Sequence, residues 1–243
     1  MIKSFGERIR MKILSEINFY TRNYRKGIDA NSEIIPKRVI KRYCSDPKNI
    51  IDCGAHIGSD SVELARFFPR AAIYSFEAVP AIYNSLKRNV RNFANIRCFE
   101  LALSSFDGKA TMNISSGDSD ASSSLLRPKE HLTDHPGTVF ENLLSVNCMT
   151  LDTWAELNNI ARIDLLWLDM QGFELQMLEK SPKMLSTVSV IHTEVSVKET
   201  YEGVQLYKDY RAFLESNGFV VVTEAIPPGW DMGNVLFVRN IKR

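Results

Sequence analysis

From about residue 49 onward the chain alternates between short apolar runs and segments whose apolar residues recur every three or four positions. A run of roughly 4–8 apolar residues suits a fully buried strand, and the intervening spacing suits a helix with one face against it. Repetition of that pair leaves few architectures open, because parallel strands need crossover helices and those helices cover both faces of the sheet. The expected fold class is α/β, a mostly parallel sheet with helices on both faces. Strands are expected over 49–53, 72–76, 96–103, 163–168, 188–195, 219–223 and 235–238, and helices over 59–68, 80–92, 151–157, 173–179 and 206–217, with Gly218 closing the last. Asp107-Gly108 reads as a hairpin turn between 101–106 and 109–114. After it comes a long polar stretch, Ser115 to Ser124, and then His131, His135 and Pro136; a loop of this length reads as a lid. The two lid histidines are expected at the surface.

Composition narrows the class without naming a function. With 44% hydrophobic and 24% charged residues, the chain is neither disordered nor fibrous. Its four cysteines, Cys44, Cys53, Cys98 and Cys148, form no Cys-x-x-Cys pair, which argues against a zinc site or a disulfide framework, and Cys53 is expected as a small buried residue. No apolar stretch approaches the ~18 residues of a spanning helix and no signal peptide is visible, so a cytoplasmic location is expected. Residues 1–45 carry eleven Lys and Arg against four Asp and Glu, although the whole chain has a net charge of only +1. That segment reads as a basic arm ahead of a main domain at 46–243, with an inserted hairpin and lid at about 104–148. Ile2, Phe5, Ile9, Ile13 and Ile17 share one face of a helix there, suited to packing on the main domain, on a second copy in a homo-oligomer, or on an anionic membrane surface. Nucleic acid is disfavoured as a partner, because the interleaved aromatics match no single-strand-binding pattern.

The sharpest local signal is Asn49-Ile50-Ile51-Asp52-Cys53-Gly54-Ala55-His56-Ile57-Gly58, a strand running into two glycines and a helix. Gly54 permits the abrupt turn, and Gly58 permits close approach of backbone or ligand at the helix start. Nineteen residues beyond Gly58, at the end of the next strand, stands Glu77, where a carboxylate can hydrogen-bond the ribose hydroxyls of an adenosine lying across the strand ends. The glycine pattern is not the Gly-x-Gly-x-x-Gly that makes room for a pyrophosphate, and Asp52 would repel one. These features favour an adenosyl cofactor with a cationic or zwitterionic part over a nicotinamide dinucleotide.

Asp52-Cys53-Gly54-Ala55-His56-Ile57-Gly58 resembles the first motif of S-adenosylmethionine-dependent methyltransferases, with His56 where many members have a glycine. Thr150-Leu151-Asp152-Thr153-Trp154, Leu168-Asp169-Met170-Gln171-Gly172-Phe173-Glu174 with Leu178, Thr193-Glu194-Val195, and Tyr201-Glu202-Gly203 before Gly218-Phe219 are similar in order and spacing to the FkbM family of methyltransferases. The resemblance covers about residues 49–239. Gln171 stands where an acidic residue is expected, and Met170 and Lys180 also depart from the commoner pattern. The resemblance implies a Rossmann-like class I methyltransferase fold with a seven-stranded sheet whose last strand is antiparallel. It also implies O-methyl transfer from S-adenosyl-L-methionine to a hydroxyl of a saccharide, glycolipid or related natural product.

On this reading Asp52, Gly54, Ala55, His56, Gly58, Glu77 and Ala78 hold the cofactor. Asp169 and Glu194 end neighbouring strands and converge on the same sheet edge, as catalytic carboxylates, as two ligands of Mg2+, or with Asp169 anchoring the cofactor amine and Glu194 holding a sugar hydroxyl. His192 lies two residues before Glu194 and so on the same face of its strand, as a candidate general base beside a neutral core histidine. Gly172 with Glu174 reads as the sharp turn into the following helix, Trp154 and Trp167 as core, and Trp230 as a loop residue able to stack on a sugar ring. A non-catalytic adenosyl-binding scaffold and a nucleic-acid methyltransferase are the alternatives.

Overall fold

The computed structural model describes residue 29 and residues 31–240, so the amphipathic helix expected over the first twenty residues lies outside the described residues. Seven strands form one sheet: β1 (Asn49–Cys53), β2 (Ala72–Glu77), β3 (Ile96–Glu100), β7 (Leu165–Leu168), β8 (Val190–Ser196), β9 (Phe219–Ala225) and β10 (Met232–Arg239). Their order is β3-β2-β1-β7-β8-β10-β9. All neighbours are parallel except β10, which runs antiparallel to both β8 and β9. This is the mostly parallel α/β sheet expected from the strand and helix alternation, with the seven strands and antiparallel last strand of the class I methyltransferase fold that the FkbM resemblance implies.

Period-two alternation divides the core between the two faces of the sheet. Ile51 and Cys53 of β1, Leu166 and Leu168 of β7 and Ile191 of β8 face one side. There they meet α5 (Leu151–Leu157), α6 (Glu174–Glu179), α7 (Pro182–Thr187) and α8 (Tyr207–Ser216) through Trp154, Met177, Leu185 and Leu214. Ile50, Leu165, Trp167 and Val190 face the other side, against α1 (Lys37–Lys41), α2 (Ser59–Phe67) and α3 (Pro80–Val90). Ile35, Val39, Ile40 and Cys44, within the stretch read as the basic arm, are buried in this second core. Trp154 and Trp167 are core residues as expected, and Trp230 is exposed.

The hairpin expected around Asp107-Gly108 is not formed. The short β4 (Ala102–Leu103) pairs in parallel with β6 (Thr138–Met149), and β5 (Gly108–Gly117) pairs antiparallel with that same β6, giving a second sheet of order β4-β6-β5. The Asp107 carboxylate is taken up elsewhere: it accepts from Thr150 N at 2.7 Å and from the Thr153 hydroxyl at 2.9 Å, at the start of α5. The lid is the connection from β5 to β6, residues 118–137, and includes the short α4 (His131–Asp134). No helix among the described residues is long and apolar enough to cross a membrane.

Candidate active site

Parallel strands end at one edge of the sheet, and there the chain opens a cleft. Cys53 is aligned with Phe76 of β2 and with Leu168 of β7, so the loops leaving β1, β2 and β7 emerge side by side. Gly54 has φ +76°, and a Cβ on it would lie 1.8 Å from the Asp169 carbonyl oxygen, so only glycine lets the two loops come this close. The Gly54 and Ala55 N–H groups donate to the Phe76 carbonyl at 3.1 and 2.8 Å, and the Asp169 N–H donates to the Cys53 carbonyl at 3.0 Å, tying the three ends together. The cleft has about 700 Å³ including its open mouth. It is lined by polar residues, among them His56, Glu77, Asp169 and Gln171, and by apolar ones, among them Phe76, Ile82, Leu101, Leu103, Met112 and Phe173.

Glu77 is placed as the sequence anticipates. Its carboxylate accepts from Val79 N at 2.7 Å and from His56 N at 3.1 Å, which fixes it at the cleft wall, and burial raises its pKa. Asp52 is placed otherwise: it is buried, does not line the cleft, and accepts from the Ser61 hydroxyl at 2.5 Å beneath α2, with Ser75 beyond. Strand alternation explains the difference, because Cys53 takes the cleft-facing position and its neighbour must point away. Burial pushes the Asp52 carboxyl up to about 7, moderated by the Ser61 hydrogen bond. Gly58 also stands back from the cleft. Its role is to let α3 pack against the start of α2, since a Cβ would lie 2.7 Å from Leu86 and 3.0 Å from Val90. Ala55 is buried in the core below.

Asp169 and Glu194 do come together, through a residue not singled out as a site residue. The Gln171 Nε2 donates to Asp169 Oδ1 at 2.7 Å and to Glu194 Oε2 at 3.2 Å, while its Oε1 accepts from the Tyr201 hydroxyl at 3.0 Å. Gln171 has φ +52°, a left-handed conformation unusual for a residue with a Cβ and concentrated in proteins at functional sites. Asp169 is open to the cleft, but protein surrounds it on its other sides and desolvation pushes its carboxyl up to about 6. Glu194 is raised well above the carboxylate range by burial and by repulsion from Asp169 and Glu174. Glu174 is a structural carboxylate: it accepts from Met170 N at 2.7 Å and Gly172 N at 3.3 Å, closing the turn into α6.

His192, the candidate general base, does not line the cleft. The ring is buried and stacked on Trp167 at 3.7 Å between centroids with 9° between planes, and Lys37 Nζ lies 4.6 Å from the centre of that Trp167 ring. Burial, with Lys37 nearby, depresses its pKa to about 3, and its Nδ1 has no hydrogen-bond partner. It shares a strand face with Glu194, as the spacing requires, but two residues further from the strand end, which puts it under the core instead of at the cleft.

The lid reaches the site at three points. His56 Nε2 lies 3.0 Å from Asp120 Oδ1, the Ser124 hydroxyl donates to the Gln171 carbonyl at 2.8 Å, and the Tyr201 hydroxyl reaches the Ser122 carbonyl at 2.8 Å. Asp120, Ala121, Ser123 and Leu125 thereby line the cleft. None of these was singled out from the sequence, where only the polar composition of the loop marked it. His131, expected at the surface, is buried with its ring 5.5 Å from that of Tyr201.

Residues 52–221 match the family described as "Methyltransferase FkbM domain". The chain belongs to the FkbM methyltransferase family. The 2-O-methyltransferase NoeI of Sinorhizobium fredii is 29% identical over 244 residues, covering 98% of each chain. Methyltransferase sdnD of Sordaria araneosa is 26% identical over 226 residues, covering 79% of this chain and 84% of its own. Among solved structures, a Methanococcus jannaschii fibrillarin pre-rRNA processing protein superposes with a TM-score of 0.49 at 13% identity, over 79% of this chain and 66% of that one.

This FkbM-family enzyme uses S-adenosyl-L-methionine. The cleft fits that molecule: its apolar lining suits a purine, and its carboxylates suit ribose hydroxyls and an ammonium group. Magnesium does not fit. The amide nitrogen of Gln171 stands between the two carboxylates proposed as its ligands, and the described residues contain no group of three or more His, Cys, Asp or Glu able to hold a metal ion.

Proposed function

We propose that this enzyme transfers the methyl group of S-adenosylmethionine to a hydroxyl of a saccharide or of a glycolipid or related natural product. The observation that carries the reading is the Asp169 carboxylate at the floor of the cleft with Glu194 beside it, both joined to one amide. Such a pair offers several hydrogen-bond acceptors in one place, which suits the vicinal hydroxyls of a sugar ring. A relative that aligns end to end and bears the name 2-O-methyltransferase supports transfer to oxygen.

The cofactor supplies a methyl group already activated on sulfur, so the protein has to bind, align and deprotonate. Glu77 would hold the ribose hydroxyls, while Gly54, His56 and Ala78 line the rest of its path. Asp169 would accept the acceptor's proton as the new O–C bond forms and the C–S bond breaks, and S-adenosylhomocysteine leaves. A carboxyl raised to about 6 is ionised at pH 7.5, yet is a stronger base than an ordinary aspartate. Glu194, joined to Asp169 through the Gln171 amide, would orient the acceptor. The seated lid, with Leu125 facing the cleft beside Met112 of β5, would exclude water.

The test is incubation of the purified protein with S-adenosylmethionine and separate neutral monosaccharide glycosides, oligosaccharides, glycolipids and transfer RNA, with products read by mass spectrometry. Methyl transfer to a saccharide hydroxyl is the expected result. Methylation of RNA alone, or of a nitrogen on every substrate accepted, would overturn the proposal.

A further inference from the structure

We infer that Gln171 is a positioning residue that takes the place of a bridging cation between Asp169 and Glu194 and ties that pair to the seated lid. The inference rests on the reading of these carboxylates as the acceptor site.

The geometry carries it. One side-chain nitrogen has two protons, and the two carboxylates, one from the end of β7 and one from β8, each receive one, at 2.7 and 3.2 Å. The nitrogen rather than the oxygen must face them, because an ionised carboxylate only accepts. The other end of the same amide meets the Tyr201 hydroxyl, which also reaches the lid at Ser122, and the Gln171 main-chain carbonyl receives the lid hydroxyl of Ser124. One residue thus touches both acceptor carboxylates and, directly or through one tyrosine, the lid at Ser124 and Ser122. Its left-handed φ of +52° aims the side chain back across the strand ends, a conformation held against its intrinsic preference. Two adjacent carboxylates repel each other, and proteins commonly relieve such a pair with a divalent ion. A neutral amide relieves it here with hydrogen bonds and leaves the outer lone pairs free for an acceptor.

A carboxylate at this position would instead put three acidic groups around one point. Gln171→Glu is therefore expected to create a cation site that the natural chain lacks, while Gln171→Gly removes the clamp and tolerates the left-handed backbone, so that its fold is retained. Two measurements on the full chain need no acceptor. Binding of Mn2+ is followed by its electron paramagnetic resonance signal, and the Asp169 side-chain carboxyl is titrated by carbon-13 NMR.

The expected result is no Mn2+ binding by the natural protein or Gln171→Gly, binding by Gln171→Glu, and its loss when Glu194→Gln is added. The Asp169 midpoint is expected to rise by about one pH unit in Gln171→Gly, the loss of one hydrogen bond to a charged group. Binding of Mn2+ by the natural protein, no binding by Gln171→Glu, or an unmoved Asp169 midpoint would each overturn the proposal. A failure of the saccharide reading would show in the acceptor screen and leave these two measurements standing.

Discussion

His192 provides a quantitative test of the separation between core and site. The buried ring titrates at about 3 instead of its ordinary 6.5, so the unfolded chain binds a proton that the folded chain refuses. A depressed histidine contributes stability that is fully present above pH 6.5 and is lost as pH falls toward 3. Between pH 7 and pH 5 the loss amounts to about 2 kcal/mol, because the unfolded imidazole gains a proton with a free energy set by the 1.5 units between 6.5 and 5. His192→Phe keeps an aromatic ring stacked on Trp167 and removes both this proton linkage and an Nδ1 that has no partner. The expected outcome is stability at pH 7 equal to or above that of the natural protein, with the fall between pH 7 and pH 5 reduced by about 2 kcal/mol. Urea unfolding followed by tryptophan fluorescence at the two pH values measures both. Methyl transfer should persist. An undiminished fall with pH would refute the argument for a buried neutral ring, and abolished transfer in a stably folded variant would restore His192 to the chemistry.

Gly54→Ala should lower stability by more than ~2 kcal/mol, since a left-handed alanine adds to a direct clash with the Asp169 carbonyl; a thermal midpoint like that of the natural protein would show that the two loops can part. Asp52→Asn should leave S-adenosylhomocysteine affinity within about twofold, measured by calorimetry, because the carboxyl lies beneath α2. The same substitution should flatten stability against pH: a carboxyl raised to about 7 favours the fold below about pH 4 and loses that contribution as pH rises through 7. A weakened cofactor or an unchanged pH profile would contradict the placement. Asp120→Asn should speed hydrogen exchange of the lid amides at 118–126 with S-adenosylhomocysteine bound, since it weakens the contact with His56; unchanged exchange would mean that Ser122 and Ser124 hold the lid without it.

The sheet was legible because its central strands β1 and β7 are nearly continuous apolar runs, and each of the seven was anticipated to within a few residues. A buried parallel strand has no alternative to such a run, so the signal is local. Strand β6 escaped notice for the opposite reason. Its residues 138–149 are half exposed, their apolar residues come singly or in short pairs split by polar ones without strict alternation, and the partner that makes them a strand is more than twenty residues back in the chain. The tight-turn pair Asp107-Gly108 misled because turn chemistry is also cap chemistry: an Asp before a glycine serves a distant helix start as readily as a hairpin.

Within the site, sequence alone determined which carboxylates and glycines end the strands, because strand ends in a parallel sheet share one edge and place Gly54, Glu77 and Asp169 together. Tertiary structure decided which of them face the cleft. Asp52 and Cys53 are neighbours in the motif but point to opposite sides of the sheet, and two residues along β8 separate a carboxylate bonded to Gln171 from a core imidazole. The Gln171 amide and the lid contacts of Asp120, Ser122 and Ser124 were decided there too. Apart from Asp169, two residues before Gln171, their partners are 23 to 79 residues away along the chain, a distance over which no periodicity carries information and only packing brings donor to acceptor.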